Sequence, residues 1–316
     1  MITTPTVLIL GAGASCPYGF PTAKELKALI CNAFSQPESG VSQFLAANNK
    51  HSADEFREFG NAFLKSGQSS VDAFLEHRPD LLDVGKLAIA YCLVPFEDEA
   101  KLYQPVGNDW YGYLSEKLNA TFEEFGNNKL SIITFNYDRS LEHFLLNSLH
   151  YSHGKKFEEC AETLAKIPII HVYGQLGEAT YPSTVSPGYR PEHDQRYSAY
   201  RPDRNRLINV GAAGGITLLH EEDSGGAQAA RDVLKAATRI CFLGFSYHPM
   251  NVDRLNIGGC LDLRTTVIGT ARGLLGMEIP QAESRVRRAI GGDIHLREGE
   301  DSLDILRRNI FLDPSS

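Results

Sequence analysis

The stretch VLILGAGASCPYGFPTAKEL, residues 7–26, decides how the rest of the chain folds. A short apolar run ends in a glycine turn, and the residues from Thr22 to Leu29 follow as a helix. A strand, a glycine turn and a helix in this order bring backbone amides and a helix dipole to an anion. The dinucleotide fingerprint has glycine at three places, of which Gly11 and Gly13 fill two and Cys16 takes the third. The stretch therefore predicts an α/β fold with a phosphate-binding turn.

Further apolar runs after residue 128 alternate with helical segments. The predicted strands are KLSIITFNYD (129–138), IPIIHVYG (167–174), RICFLGFS (239–246), RTTVIGTA (264–271) and DIHLRE (293–298). Alternating helices and apolar strands are typical of a parallel sheet covered on both faces. We expect a Rossmann-like parallel sheet with helices on both faces.

The residues between the first helix and the second strand have a different pattern. Apolar residues recur there at spacings of three and four, as in Val71, Phe74 and Leu75, and Ser70 stands where a helix N-cap is expected. We expect a helical insertion over residues 33–128. The Rossmann-like catalytic domain then consists of residues 1–32 and 129–316.

Composition and charge argue against several classes of function. The chain has 31 basic and 39 acidic residues and a net charge of −8, so it lacks the basic surface typical of nucleic-acid binding. It has no apolar run of the roughly 18 residues that a membrane span needs, and no basic segment precedes the first apolar run. The six cysteines form no C-x-x-C pair and predict no metal site. We expect a cytoplasmic protein that binds neither nucleic acid nor membrane.

Polar residues and glycines follow each predicted strand. In an open parallel sheet, ligands bind beyond the carboxyl ends of the strands, so these residues are the candidate site. They are Gly11, Ala12, Gly13, Ala14 and Ser15, then Asn136 and Asp138, then His171 and Tyr173, then Gly244 and Ser246, and finally Gly269.

Four of these segments, GAGAS, ITFNYD, HVYG and FLGFS, form an ordered series between about residue 7 and residue 270. The series resembles the motifs of the sirtuin superfamily, and more closely those of the bacterial sirtuin-like NAD-hydrolysing domains of antiphage defence proteins. The resemblance implies that the segment Gly11–Ser15 wraps the pyrophosphate of NAD. It implies that Asn136 and Asp138 hold the nicotinamide ribose and position water, and that Gly244 and Ser246 contact ribose and phosphates.

The chain departs from the sirtuin deacylases at several positions. Phe135 stands where they have glutamine, GFPTAKEL replaces their Asp-Phe-Arg segment, and no cysteine spacing matches their four-cysteine zinc site. Their catalytic histidine directly precedes a glycine, and that position is Tyr173 here. Because residues i and i+2 of a strand share a face, we expect His171 to point into the same cleft as Tyr173 and to act as the base.

These residue types suit cleavage of the bond between nicotinamide and ribose. The reaction passes through a cationic sugar, which a carboxylate and an amide can stabilise, and a group of near-neutral pKa can take the proton. Asn136, Asp138 and His171 would supply these groups without a metal. Each also has a structural interpretation: the glycines as a tight turn, Asn136 and Asp138 as a turn and helix N-cap, and His171 as a core histidine.

We therefore predict an NAD glycohydrolase that releases nicotinamide and ADP-ribose. The resemblance implies an NAD-depleting effector of antiphage defence, which would need a sensor or regulatory protein subunit, a homo-oligomer, or both. One alternative is an NAD-dependent protein deacylase or ADP-ribosyltransferase. Another is a non-catalytic subunit that senses NAD or ADP-ribose.

Three other features are weaker candidates. His150 and His153 have a spacing seen in metal sites but are expected in a polar loop. The segment HEED at 220–223 is expected to be a loop before a helix. A long loop over residues 177–206 carries five arginines, Arg190, Arg196, Arg201, Arg204 and Arg206, which are either phosphate contacts or solvated charges, and loops of this length often act as lids.

Overall fold

The computed structural model describes residues 1–36, 40–177, 200–202, 216, 226–308 and 311–313. The strands of this part are β1 (Thr6–Leu10), β2 (Leu130–Thr134), β3 (Ile169–His171), β4 (Arg239–Leu243), β5 (Leu261–Thr270) and β6 (Gly291–Arg297). The helices up to β2 are α1 (Ala12–Ser15), α2 (Ala23–Phe34), α3 (Val41–Asn48), α4 (Ala53–Lys65), α5 (Val71–His77), α6 (Leu82–Leu93), α7 (Glu99–Leu102) and α8 (Trp110–Leu118). The later helices are α9 (Ser140–His153), α10 (Phe157–Leu164), α11 (Gly226–Lys235), α12 (Pro249–Arg254), α13 (Glu278–Ala289) and α14 (Ser302–Arg308).

The strands form one parallel sheet in the order β3-β2-β1-β4-β5-β6. This is the order of a Rossmann fold, in which the chain first builds the sheet outward from β1 in one direction and then in the other. At the centre, Leu8 of β1 pairs with Ile132 of β2 on one side and with Cys241 of β4 on the other. The predicted α/β fold with a Rossmann-like parallel sheet is confirmed.

Helices cover both faces of the sheet because successive strand residues point to opposite sides. Val7 and Ile9 pack into a core with α2, α5, α6, α11 and α13, which we call the α5 face. Leu8 and Leu10 pack into a second core with α8, α9, α10 and α14, which we call the α9 face. All five residues of β1 are buried, as expected for a central strand of a parallel sheet.

The described part of the region between β1 and β2 contains helices joined by turns and no strand. The predicted cap is confirmed, since the Ser70 hydroxyl accepts a hydrogen bond from the Ala73 amide at 3.2 Å. The first predicted helix is longer than expected: it is closed at its start by a capping box between Thr22 and Glu25 and continues to Phe34. The division into two domains at residues 33 and 128 stays a prediction.

Two further expectations concern membrane spans and the predicted long loop. No described helix is long and apolar enough to cross a membrane. Most of the predicted long loop lies outside the described residues, as do HEED at 220–223 and the arginines Arg190, Arg196, Arg204 and Arg206. Arg201 is described and is exposed.

Candidate functional site

The glycine turn after β1 lies directly against the turn after β4. The Gly11 amide donates to the Leu243 carbonyl at 3.0 Å, and the Gly13 amide donates to the Gly244 carbonyl at 3.0 Å. A Cβ on Gly244, whose φ is +57°, would lie 2.1 Å from the Ala14 amide nitrogen. These glycines are therefore required for two backbone turns to touch, independently of any ligand.

Asn136 joins the end of β2 to the glycine turn. Its Nδ2 donates to the Gly11 carbonyl and to the Ser15 hydroxyl, each at 3.0 Å. Its own amide donates to the Thr134 hydroxyl at 3.1 Å. Asn136 is 8 % exposed, so these bonds fix the side chain, and its Oδ1 accepts no hydrogen bond from the described residues.

Asp138 lies two residues further on and is held at the start of α9. Its Oδ1 accepts a 3.1 Å hydrogen bond from the Ser140 amide and a second one from the Ser140 hydroxyl. Burial raises the pKa of Asp138, while the hydrogen bonds from Ser140 and Ser15 work in the opposite direction. Asp138 therefore stabilises the first turn of α9, which is the structural interpretation considered above, and it also presents a carboxyl group beside Ser15.

A cavity about as large as one water molecule lies under this group of residues. Its polar lining comes from Ser15, Tyr111, Thr134, Asn136, Asp138 and Glu142. The other lining residues are the apolar Leu10, Leu141 and Ile169. The structure thus brings Ser15, Asn136 and Asp138 together, as the sequence predicted for strand ends that meet at one edge.

His171 makes contacts through both ring nitrogens. Nδ1 lies 3.0 Å from the Asn136 carbonyl, which can only accept, and Nε2 contacts the Glu142 carboxylate. Burial alone would lower the pKa of His171, but the charge and hydrogen bond of Glu142 outweigh it and raise the pKa. The same contact lowers the pKa of Glu142 against the effect of burial. The pair is an imidazolium and a carboxylate, so His171 has no nitrogen lone pair with which to act as a base.

Tyr173 lies on the other face of the sheet, and the expectation that it shares a cleft with His171 is wrong. Its hydroxyl donates to Asn251 Oδ1 at 2.6 Å, and its ring contacts Phe135 in the core of the α5 face. The reason is that the pairing of β3 ends at His171. The chain then turns, with a positive φ at Gly174, and the two-residue alternation of a strand no longer applies.

The turns after β4 and β5 give a mixed result for the remaining predicted residues. Ser246 is exposed at the end of β4 and is accessible to a ligand. Gly269 is inside β5, and a Cβ there would lie 2.3 Å from the hydroxyl of Tyr247. The absence of a side chain at Gly269 leaves room for the buried Tyr247, so the structure gives Gly269 a packing role that the sequence analysis missed.

Burial raises the pKa of Cys16 to about 11, which keeps its thiol protonated near neutral pH.

Several residues at this edge were missed because they come from distant parts of the chain. Arg139 and Glu97 form a fully buried ion pair, with two guanidinium contacts to the carboxylate at 3.0 Å. Tyr137 donates its hydroxyl to the Asp72 carboxylate of α5. No local sequence signal marks these acidic residues, since Asp72 lies on a helix and Glu97 on a connection of the region between β1 and β2, and each is one of many acidic residues there.

Tyr200 covers the α9 side of the edge. Its ring stacks on His143 with centroids 4.3 Å apart, and its hydroxyl is buried without a partner among the described residues. The charge of Asp138 contributes to the raised pKa of Tyr200, after the larger effect of burial.

His150 and His153 do not form a pair. Both lie in the last turn of α9, rather than in a loop, and the helix ends at Gly154 with a positive φ. His150 stacks on Phe157, and His153 packs on Phe122. Over the described ranges, no group of three or more His, Cys, Asp or Glu side chains is arranged to hold a metal ion.

The fold and the site define a class: a Rossmann-order α/β protein whose polar residues meet where the strand order reverses, between β1 and β4. No protein-family model matches the chain, and no curated protein matches it. A solved structure of a triple mutant of a Sir2 homologue in complex with 2′-O-acetyl ADP-ribose is similar, with a TM-score of 0.43 and 14 % sequence identity. The match covers 96 % of this chain and 91 % of that chain. An identity and a TM-score this low do not carry site residues from one chain to the other.

Proposed function

We propose that the protein is an NAD glycohydrolase, which cleaves NAD to nicotinamide and ADP-ribose. One observation carries the proposal: the glycine turn, Asn136 and Asp138 meet at the point where the strand order of the sheet reverses. Dinucleotides bind at this point in Rossmann folds because the two neighbouring crossovers leave a crevice there. The ordered motifs GAGAS, ITFNYD and FLGFS support the choice of NAD through their resemblance to sirtuin-like NAD-hydrolysing domains.

Each residue of the proposed site has a role that its contacts allow. The segment Gly11–Ser15 and the exposed Ser246 would contact the pyrophosphate and the ribose groups. Asn136 is fixed through Nδ2, which leaves Oδ1 for the sugar or for water. The Asp138 carboxylate would stabilise the cationic sugar, because a negative charge in a buried site acts strongly on a developing positive one. Nicotinamide leaves as a neutral molecule, so the proposal involves no metal.

The roles of His171 and Tyr173 differ from those first expected. His171 donates to the Asn136 carbonyl and pairs with Glu142, so we assign it the role of positioning Asn136. Tyr173 is buried, and its hydroxyl is engaged by Asn251, so we assign it a structural contact at the edge of the site.

The proposal is tested by incubating the purified protein with NAD and measuring nicotinamide and ADP-ribose by chromatography. We expect both products in equal amounts, and a loss of about a hundredfold or more in Asn136→Ala, the scale of removing a positioned catalytic group. Asp138→Asn tests the same site with a side chain of equal size. Asn119→Ala, at an exposed position after α8, is the matched control and should keep the wild-type rate.

Two additional reactions distinguish hydrolysis of NAD from deacylation and from ADP-ribosyl transfer. An acylated peptide in the reaction would reveal a deacylase through formation of acylated ADP-ribose, and labelled NAD would reveal a transferase through labelled protein. Wild-type turnover in both Asn136→Ala and Asp138→Asn contradicts the assignment of the site.

A second candidate function is a non-catalytic NAD or ADP-ribose sensor. It is favoured by the occupied nitrogens of His171 and by the phenol of Tyr173 at the position where sirtuins carry their catalytic histidine. Binding of NAD by calorimetry, with no product after long incubation, would support the sensor over the enzyme.

The sequence resemblance extends the proposal to a role in antiphage defence. It also extends it to control of the activity by a regulatory subunit or by homo-oligomerisation. Purification of the native complex followed by size-exclusion chromatography tests this part. A monomer that consumes NAD without a partner or a trigger would contradict the need for control.

A further inference from the structure

The glycine turn after β1 offers few free donors to an anion. Three of its five amides, those of Gly11, Gly13 and Ala14, donate to backbone carbonyls of the protein at 2.9 to 3.0 Å. In a Rossmann fold the amides of this turn bind the pyrophosphate of a dinucleotide. A pyrophosphate that lies on this turn therefore needs further donors and positive charge from side chains.

The turn after β4 is fixed against the end of β5. Tyr247 is the one residue other than glycine with a positive φ, +56°, in the part of the chain that the structure describes. Its hydroxyl donates to the Thr270 carbonyl at 2.9 Å, and its own carbonyl accepts from Arg285 Nη1 at 2.7 Å. Strained backbone that is held by its surroundings is typical of functional sites. In this conformation Tyr247 is buried, while the preceding Ser246 stays exposed.

A cation lies at the neighbouring strand end. The Gly244 amide donates to Thr270 Oγ1 at 2.9 Å, so the turn after β4 contacts the end of β5 directly. Arg272 follows Thr270 by two residues and is exposed. Its guanidinium forms no ion pair or hydrogen bond with the residues that the structure describes. A ligand can therefore bind Arg272 without displacing a partner among these residues.

The charge of Arg272 acts on the segment that follows the glycine turn. Cys16 comes directly after Ser15, the last residue of the turn. Burial and two nearby carboxylates raise the pKa of the Cys16 thiol, and the charge of Arg272 lowers it. The guanidinium is therefore near enough to attract a negative group that lies on the turn.

We propose that Arg272 binds the pyrophosphate of the dinucleotide beside Ser246, an inference that rests on the proposed site for NAD. That site has the nicotinamide ribose at the end of β2 and the pyrophosphate at the turn after β1. The adenosine half then extends towards β4 and β5, which are the next strands in the sheet order. The end of β5 is therefore beside the path of the phosphates. Arginine suits this position because its planar guanidinium can bind two phosphate oxygens at once.

The test is the binding of ADP-ribose and of 2′-phospho-ADP-ribose to Arg272→Ala, measured by calorimetry. We expect the Kd for both to rise about ten- to a hundredfold, the scale of a hydrogen bond between charged groups. The KM for NAD should rise by a similar factor. The kcat for nicotinamide release and the melting temperature should stay unchanged, because Arg272 is exposed and is not at the bond that breaks.

Two variants serve as controls. Arg264→Ala removes an exposed arginine near the other end of β5 and should leave the Kd unchanged. Arg272→Lys keeps the charge without the planar guanidinium and should recover part of the lost affinity. The Kd of the wild type should also rise with salt more steeply than that of Arg272→Ala, because salt screens an exposed charge.

The outcomes are distinct. A wild-type Kd for ADP-ribose in Arg272→Ala, or an equal loss of affinity in Arg264→Ala, overturns the contact and leaves the hydrolase proposal standing. A loss confined to 2′-phospho-ADP-ribose would assign Arg272 to the 2′-phosphate and would also overturn the contact with the pyrophosphate. A wild-type protein that binds ADP-ribose through Arg272 without releasing nicotinamide from NAD overturns the hydrolase proposal and supports the contact.

Discussion

The two sides of the carboxyl end of β2 are held together by different kinds of contact. On the α9 side, Asn136 and Asp138 belong to a dense polar network with the His171–Glu142 pair. On the α5 side, aromatic rings such as Phe135 and Tyr173 pack together. The alternation of side chains along one strand produces both environments from consecutive residues.

The difference indicates a division of labour. Polar groups that already bond to one another fix a geometry, and their protons are not available to a ligand. On the α5 side, the hydrogen bond from the Tyr137 hydroxyl to Asp72 ties α5 to the end of β2. We therefore expect changes to the ion pairs of the α9 side mainly to affect stability, and changes to Asn136 and Asp138 mainly to affect the rate.

The largest effect on stability should come from the buried ion pair of Arg139 and Glu97. Glu97→Gln removes one charge and leaves the guanidinium buried, which costs about 3–5 kcal/mol in proteins. Urea unfolding followed by circular dichroism measures the change. Asp83→Asn, which removes a surface ion pair with Lys50, is the control and should leave the midpoint unchanged. An equally small effect of Glu97→Gln would show that the α9 side is not held by its polar network.

A smaller effect is expected from Glu142→Gln, at about 2 kcal/mol, the scale of a hydrogen bond to a charged group. The effect should depend on pH. His171 has a raised pKa, so its contribution is complete below its unfolded pKa near ~6.5 and is lost as the pH rises through the folded pKa. Glu142 has a lowered pKa, so its contribution is present above ~4.3 and is lost at more acidic pH.

Unfolding of wild type and Glu142→Gln at a series of pH values checks this window. The difference between them should be largest between about pH 5 and pH 6.5 and should shrink at alkaline pH. A difference that does not vary with pH would mean that His171 and Glu142 are not an ion pair.

The smallest effect should come from Tyr200→Phe. The hydroxyl of Tyr200 is buried without a partner among the described residues, so removing it should stabilise the protein by about 1 kcal/mol. The stacking of the ring on His143 is retained in this variant. A loss of stability in Tyr200→Phe would contradict this prediction, because it would mean that the hydroxyl makes a stabilising hydrogen bond.

The sequence was sufficient to predict the fold, because apolar strands and amphipathic helices are local patterns. Val7 to Leu10 fit a buried central strand, and Ser70 fits a cap, and both are found. The convergence of Asn136 with Ser15 also followed, since the ends of parallel strands meet at one edge.

The contacts between distant segments were not predictable in the same way. Asp72 is 65 residues from Tyr137, and Glu97 is 42 residues from Arg139, so no spacing rule connects them. The placement of Tyr173 was predicted wrongly because the length of β3 depends on its pairing with β2, which ends at His171. The packing role of Gly269 was not predictable either, because the side chain that occupies its space belongs to the distant Tyr247.

The most direct test of the proposed site is the rate of nicotinamide release by Asn136→Ala and Asp138→Asn, measured side by side with the wild type and with the exposed control Asn119→Ala. The wild type and Asn119→Ala should release nicotinamide at the same rate, while both site variants should lose about a hundredfold or more. Wild-type rates in both site variants would contradict the account.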